Sequence, residues 1–176
     1  MRTGLRTLLV LGLAAAPIHA SAQALGGDLA DLARIREGVT TRRVSSHDRS
    51  GGNNDRIENI GVGETREIFN VEGAGIINHI WITIAPPPPE LSRNDIVVRM
   101  YWDGSDSPSV ASPIGPFFGQ GWDESYPFSS LPLAAGPVEG RGLVSYWAMP
   151  FSAGARIEIE NQAERKIDAF YYYVDY

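Results

Sequence analysis

The chain has 176 residues, 43% hydrophobic and 20% charged, which fits one ordinary globular domain and excludes a disordered or fibrous chain. Fifteen Lys and Arg face 21 Asp and Glu, a net charge of −6 with no basic cluster, so nucleic acid is not an expected partner. The absence of cysteine excludes disulfides, thiolate zinc sites, iron–sulfur clusters and a cysteine nucleophile.

Arg2 and Arg6 precede the apolar run Leu8–Ala16, and small residues follow, with acceptable cleavage sites at Ala20-Ser21-Ala22 and Ala22-Gln23-Ala24. That order is the pattern of a secretory signal peptide, so residues 1–24 are expected to be a removed leader and 25–176 the mature domain, secreted or periplasmic. The apolar run is short for a bilayer and no later segment approaches that length, so no membrane partner is expected. Exported without cysteine, the domain must be held by packing and hydrogen bonds alone.

A short helix is predicted over 28–37, with Asp28 as cap, Leu29, Leu32 and Ala33 on one stripe, and Gly38 as stop. Residues 45–55 are polar and glycine-rich without a period, hence a loop. Strands then dominate. They are expected at 65–72, at 76–84 with Ile80, Ile82 and Ile84 on one face and His79, Trp81 and Thr83 on the other, and at 96–102. The run Pro86–Pro89 must end the second of these, and Asp103-Gly104 offers turn chemistry. Further strands are expected at 109–114, 143–149, 155–160 and 169–176, with residues 115–142 as long loops holding at most a short strand. About seven strands without alternating helices exclude a parallel α/β fold and leave a sandwich, jelly roll or barrel.

Nothing matches a phosphate loop, dinucleotide fingerprint or zinc-protease helix. After the leader, the histidines are His47 and His79, too far apart for a spaced ligand pair, so no metal site and no cofactor are expected. Ser46, His47 and Asp48 are adjacent in one loop and cannot face one another as a triad, and no nucleophile elbow is present. Asp48, Asn53 and Asp55 do not have the spacing of an EF-hand calcium loop. The loop nevertheless gathers Ser46, His47, Asp48, Arg49, Asn53, Asn54 and Asp55 around Gly51-Gly52, donors and acceptors of the kind that pair with sugar hydroxyls. By composition alone the plainer reading is a solvated loop whose own Asp and Asn side chains cap its turns. Trp81, Tyr101, Trp122, Tyr126 and Tyr146 fall in loops or opposite the aliphatic stripes, where rings suit sugars or subunit contacts. Trp102 and Trp147 share faces with aliphatics and are expected in the core. Glycoside hydrolysis needs two carboxylates, and Glu58, Glu64, Glu67, Glu72, Asp123, Glu124 and Glu139 are available without any pair standing out.

The segment Arg43-Val44-Ser45-Ser46-His47-Asp48-Arg49-Ser50-Gly51-Gly52-Asn53-Asn54-Asp55 resembles the start of glycoside hydrolase family 172 proteins. The resemblance continues through 73–81, Arg99-Met100-Tyr101-Trp102-Asp103-Gly104, 113–119, Tyr146-Trp147-Ala148-Met149-Pro150-Phe151 and 170–176, covering nearly all of the mature chain. It implies a single jelly-roll β-sandwich of antiparallel strands with one short N-terminal helix. It also implies chemistry on fructo- or arabinofuranosides and assembly as trimers or hexamers, with sites near subunit contacts. Relatives typically carry two successive jelly rolls. The chain resembles the first of them, and the family's Gly-Thr-Glu-Asp-Tyr-Phe segment, expected to lie in the catalytic half, has no counterpart here. Pro116 also stands where relatives often have Asp. Two functions follow as expectations: a secreted glycoside hydrolase, or the N-terminal part of one, truncated or dependent on a partner such as a second jelly-roll chain; or a non-catalytic module for carbohydrate binding or assembly. In either, substrate contacts are expected from Ser46, His47, Asp48, Arg49, Asn53, Asn54, Asp55 and Trp122.

Overall fold

The computed structural model describes residue 35 and residues 37–176. The expected leader at 1–24 lies outside the described residues, as does the helix expected at 28–37 but for residues 35 and 37. The architecture below is that of the compact unit 40–176.

Among the described residues the strands are β1 (Arg43–Ser45), β2 (Ile57–Ile60), β3 (Thr65–Glu72), β4 (Gly75–Ile77), β5 (His79–Ala85), β6 (Ile96–Trp102) and β7 (Val110–Pro113). A one-turn helix, α1 (Ile114–Phe117), precedes β8 (Phe128–Ser129), β9 (Leu133–Gly136), β10 (Gly142–Ser145), β11 (Met149–Phe151), β12 (Gly154–Asn161) and β13 (Ile167–Asp175). One sheet runs β1-β13-β5-β10-β9-β8, with β2 also on β13, and a second runs β3-β12-β6-β7. β4 and β11 form a separate ribbon, and every pairing is antiparallel. The order β2-β13-β5-β10 opposite β3-β12-β6-β7 makes the chain wrap back and forth between the two sheets. That wrapping is the jelly roll, two Greek keys closed on one core.

Alternation builds that core. Ile80, Ile82 and Ile84 of β5, with Phe170, Tyr172 and Val174 of β13, face Val98 and Met100 of β6 and Ala155, Ile157 and Ile159 of β12. Each fully buried aliphatic or aromatic chain contributes about 1.5–3 kcal/mol, which a domain without cross-links requires. A bulge in the β3–β12 pairing between Ile157 and Glu158 lets consecutive Ile68 and Phe69 both turn inward. Two buried polar side chains tie the strand ends. Asn161 donates from Nδ2 to the carbonyls of Ile60, Gly61 and Arg165 and accepts from the Ala163 N–H. Arg93 donates to the carbonyls of Ile84, Pro86 and Leu91. Burial brings its pKa down to about 10, with Asp123 opposing, so it stays charged at neutral pH.

Several strands differ from their sequence-based bounds. The strand expected at 76–84 breaks at Asn78, whose N–H donates to Asp175 instead of continuing a ladder. The one expected at 143–149 ends at Ser145 and restarts as β11 in a different sheet. Trp147 falls in the gap and is 48% exposed, not in the core as its spacing predicts. Trp102 does pack against the core.

Candidate functional site

The outer face of the larger sheet carries the side chains that the hydrophobic alternation of β5, β10 and β13 turns away from the core. Register sets them in rows. Val144, Trp81, Tyr173 and Ser45 lie side by side on β10, β5, β13 and β1. One step along, Asp175 sits between His79 and Arg43, and the same register carries Tyr146 beside His79. On the other side, Thr83 pairs with Tyr171, whose phenol meets the Arg56 guanidinium just before β2.

These rows are internally bonded. Trp81 and Tyr173 stack at 5.1 Å, and the Arg43 guanidinium lies over the Tyr173 ring, 4.7 Å from its centroid. Arg43 grips Asp175 with both arms, Nε to Oδ1 at 2.6 Å and Nη2 to Oδ2 at 2.9 Å. His79 Nδ1 lies 2.7 Å from Asp175 Oδ2, so this nitrogen carries the proton, since a carboxylate can only accept. Arg43, and then His79, hold the Asp175 carboxyl below the usual carboxylate range. The His79 ring stacks on Tyr146 at 5.3 Å.

The 46–55 loop crosses one end of these rows. Its anchor is Ser46, whose hydroxyl donates to the Asp55 carbonyl at 2.7 Å and accepts from the Tyr172 N–H at 3.0 Å. Asp48 organises the tip: its carboxylate accepts from the Ser50 N–H and hydroxyl and from the Asn54 N–H. Those bonds, led by the Ser50 hydroxyl, hold its carboxyl below the ordinary value. Gly51 has φ 80°, and a Cβ on Gly52 would come within 2.6 Å of Asp48 Oδ2, so both glycines serve the turn. Asp55 Oδ1 accepts from the Asp48 N–H at 2.6 Å.

Between loop and sheet opens a recess of about 310 Å³ lined by Ser46, Asn53, Asp55, Arg56, Trp81, Tyr171 and Tyr173. It joins a carboxylate, an amide, a guanidinium and phenol hydroxyls to aromatic walls. Of the residues singled out from the sequence, Ser46, Asn53 and Asp55 line it. His47 turns to the Ser45 hydroxyl, 3.1 Å from its Nδ1, while Asp48 and Asn54 bond within the loop. Arg49 acts on the Tyr172 phenol, whose pKa burial raises and Arg49 opposes. Trp122, 90% exposed, belongs to a different part of the surface. It adjoins a second recess of about 410 Å³ lined by Pro87, Pro88, Pro89, Asp123, Glu124, Ser125, Glu139 and Arg141. There Asp123 accepts from the Ser92 hydroxyl and Glu139 pairs with Arg141.

Arg56, Tyr171 and Tyr173 were not among the residues the sequence put forward. The available signal was alternation: Tyr171 and Tyr173 flank core-facing Tyr172 and must point outward together with Trp81. Two other aromatics expected on the surface have structural employment. Tyr126 donates to the Gly119 carbonyl and accepts from the Gly121 N–H, and Tyr101, 9% exposed, lies beneath Arg156. Among the described residues no group of three His, Asp or Glu is placed to hold a metal ion. No helix among them is long and apolar enough to cross a membrane.

The GH172 domain-like family profile matches residues 53–172, and the chain belongs to that family. The match spans β2 through most of β13 and so covers both sheets of the jelly roll. No curated protein sequence matches the chain. Among solved structures it is similar to a serine protease of Aeromonas sobria, at 8% identity and a TM-score of 0.30. That alignment takes in 78% of this chain and 26% of the protease, so the chain spans about a quarter of that protein, and a likeness so slight carries no argument.

Proposed function

We propose that the chain is an exported carbohydrate-binding jelly roll that recognises fructo- or arabinofuranosyl units in the recess between the 46–55 loop and the outer sheet face. The observation that carries this is the recess itself, where Asp55, Asn53 and Arg56 offer paired acceptors and donors beside Trp81, Tyr171 and Tyr173. Membership of a carbohydrate-active family supports it. Asp48, His47, Arg49 and Asn54 act in this reading by holding the loop. Hydrolysis by the usual route needs two carboxylates, and Asp55 is the one that lines the recess. Catalysis on a sugar bound here therefore needs a carboxylate from a second jelly-roll chain or another subunit, in an assembly we take to be a trimer or hexamer.

One observation favours a hydrolytic reading of the chain by itself: Asp123, Glu124 and Glu139 share the second recess, next to Trp122. Incubating the purified protein with aryl α-furanosides separates the two readings. Furanoside-chain binding without turnover supports the binding module. Turnover that Asp123→Asn or Glu139→Gln abolishes favours hydrolysis, and neither binding nor turnover refutes both. Export predicts a mature N-terminus at residue 23 or 25, which N-terminal sequencing reads directly.

A further inference from the structure

Arg56 is the cation that lines the recess, and its direction there is set from outside. Its backbone N–H donates to the Asn54 carbonyl at 2.8 Å, which seats the residue at the joint between the 46–55 loop and β2. Two positions on, and so on the same side of the strand, Glu58 stands outside the lining and opposite Ala169 of β13. Continuing that register past Ile57 sets Arg56 beside Tyr171, the neighbouring wall. Glu58 Oε1 lies 2.9 Å from Arg56 Nε and 2.6 Å from Nη2. One edge of the guanidinium is therefore taken, and the Nη1 side is what remains for a ligand.

The charge of the recess follows from the same pair. Its lining carries two ionised groups, the Asp55 carboxylate and the Arg56 guanidinium. Glu58 offsets the second at contact distance, while Asp55 Oδ1 is met by a neutral donor, the Asp48 N–H. The recess thus presents net negative charge although it contains an arginine.

We infer that Glu58 sets the ligand class of the recess, holding Arg56 as an oriented donor for a neutral furanoside and barring anionic sugars such as phosphate esters and uronates. This role presupposes sugar binding in the recess and adds a residue outside it that governs which sugars enter. A bare guanidinium attracts phosphate and carboxylate by its charge and by its two-pronged geometry. With one edge held and the charge offset, it offers directed N–H groups to hydroxyl or ether oxygens, which a neutral sugar supplies. Asp55 works in the same direction, accepting from sugar hydroxyls and repelling an anion. Glu58 touches no ligand in this arrangement and is a positioning residue. The pair is 34% and 43% exposed, so its loss should scarcely move the folding equilibrium.

The test is a calorimetric titration of the full chain with methyl α-arabinofuranoside and methyl β-fructofuranoside, each with and without a phosphate on an exocyclic hydroxyl. Glu58→Ala should weaken the neutral ligand roughly fivefold and strengthen the phosphate ester by a similar factor, the upper scale of one solvent-screened charge contact. That gain should vanish in about 1 M salt, where charges are screened beyond about 3 Å. Glu58→Gln, which keeps the size of the side chain, should reproduce the gain. In an Arg56→Ala background neither change should appear, because Glu58 then has nothing to position. A Tm near that of the parent reports that each variant is folded. Both ligands shifting in the same direction, a phosphate affinity that rises in neither variant, or effects of Glu58→Ala that persist without Arg56 overturn the inference and leave the recess standing. A parent that binds none of these ligands refutes the recess reading itself.

Discussion

Replacing Ser46 with alanine isolates the bond on which the proposed site depends. The Ser46 hydroxyl is the joint between loop and sheet: it donates to the Asp55 carbonyl and accepts from the Tyr172 N–H. Alanine leaves both backbone groups without that partner in a part-buried setting, while the Ser46 N–H keeps its bond to the Tyr172 carbonyl at 3.2 Å. Two neutral hydrogen bonds at about 0.5–1.5 kcal/mol each give a loss of about 1–3 kcal/mol. For a domain of this size that is a fall in Tm of about 3–10 °C by differential scanning calorimetry. The same change releases the Asp55 backbone from the sheet, leaving its carboxylate tied to the loop through the Asp48 N–H, so furanoside affinity should fall further than the stability loss accounts for at 25 °C, where the protein remains folded. A Tm within 1 °C of the parent, together with unchanged sugar affinity, would refute the claim that this hydroxyl positions the site.

Three further outcomes follow from other parts of the structure. Arg56→Ala should weaken furanoside binding roughly ten- to a hundredfold with little change in Tm, because the lost donor is a charged group on the recess wall, and equal affinity in a titration would count against the recess. Asn161→Ala removes four hydrogen bonds at a fully buried position and should cost about 3–5 kcal/mol in urea denaturation, and a cost under about 1 kcal/mol would contradict its assigned role. The Asp175 carboxyl is held low by Arg43 and His79, so its folded pKa lies beneath the unfolded one. Its contribution is therefore complete above about pH 4 and lost as pH falls through the folded value. Parent and Asp175→Asn should accordingly differ in Tm at neutral pH and draw together as the pH falls below the unfolded carboxylate value of about 4, and a gap that widens in acid would rule out the ion pair as its cause.

What could be read from the chain order alone was whatever depends on local pattern. Period-two alternation in β5, β6, β12 and β13 fixes which side chains face the core, and Pro86 ends β5 because proline has no N–H to donate. The polar, glycine-rich 45–55 segment announces a loop with no reference to its surroundings. The strand bounds were less legible where an interruption has a distant cause. Asn78 leaves the ladder for the Asp175 carbonyl, and Trp147 is exposed because β10 and β11 belong to different sheets, neither of which a window of neighbouring residues contains.

The candidate site divides the same way. Sequence brings Ser46, Asn53 and Asp55 forward by their chemistry, but the wall they face comes from residues 81, 171 and 173, set beside them by the antiparallel registers β1–β13 and β13–β5. Asp48 has the same polar character as Asp55, and only the folded loop shows that its oxygens are taken by Ser50 and Asn54 while Asp55 still lines the recess. Side-chain type and alternation are local properties, written residue by residue. Which groups remain free to meet a ligand is decided by bonds inside the folded loop, as at Asp48, and by partners more than a hundred positions away, as at Ser46, which are fixed when β13 closes the sheet.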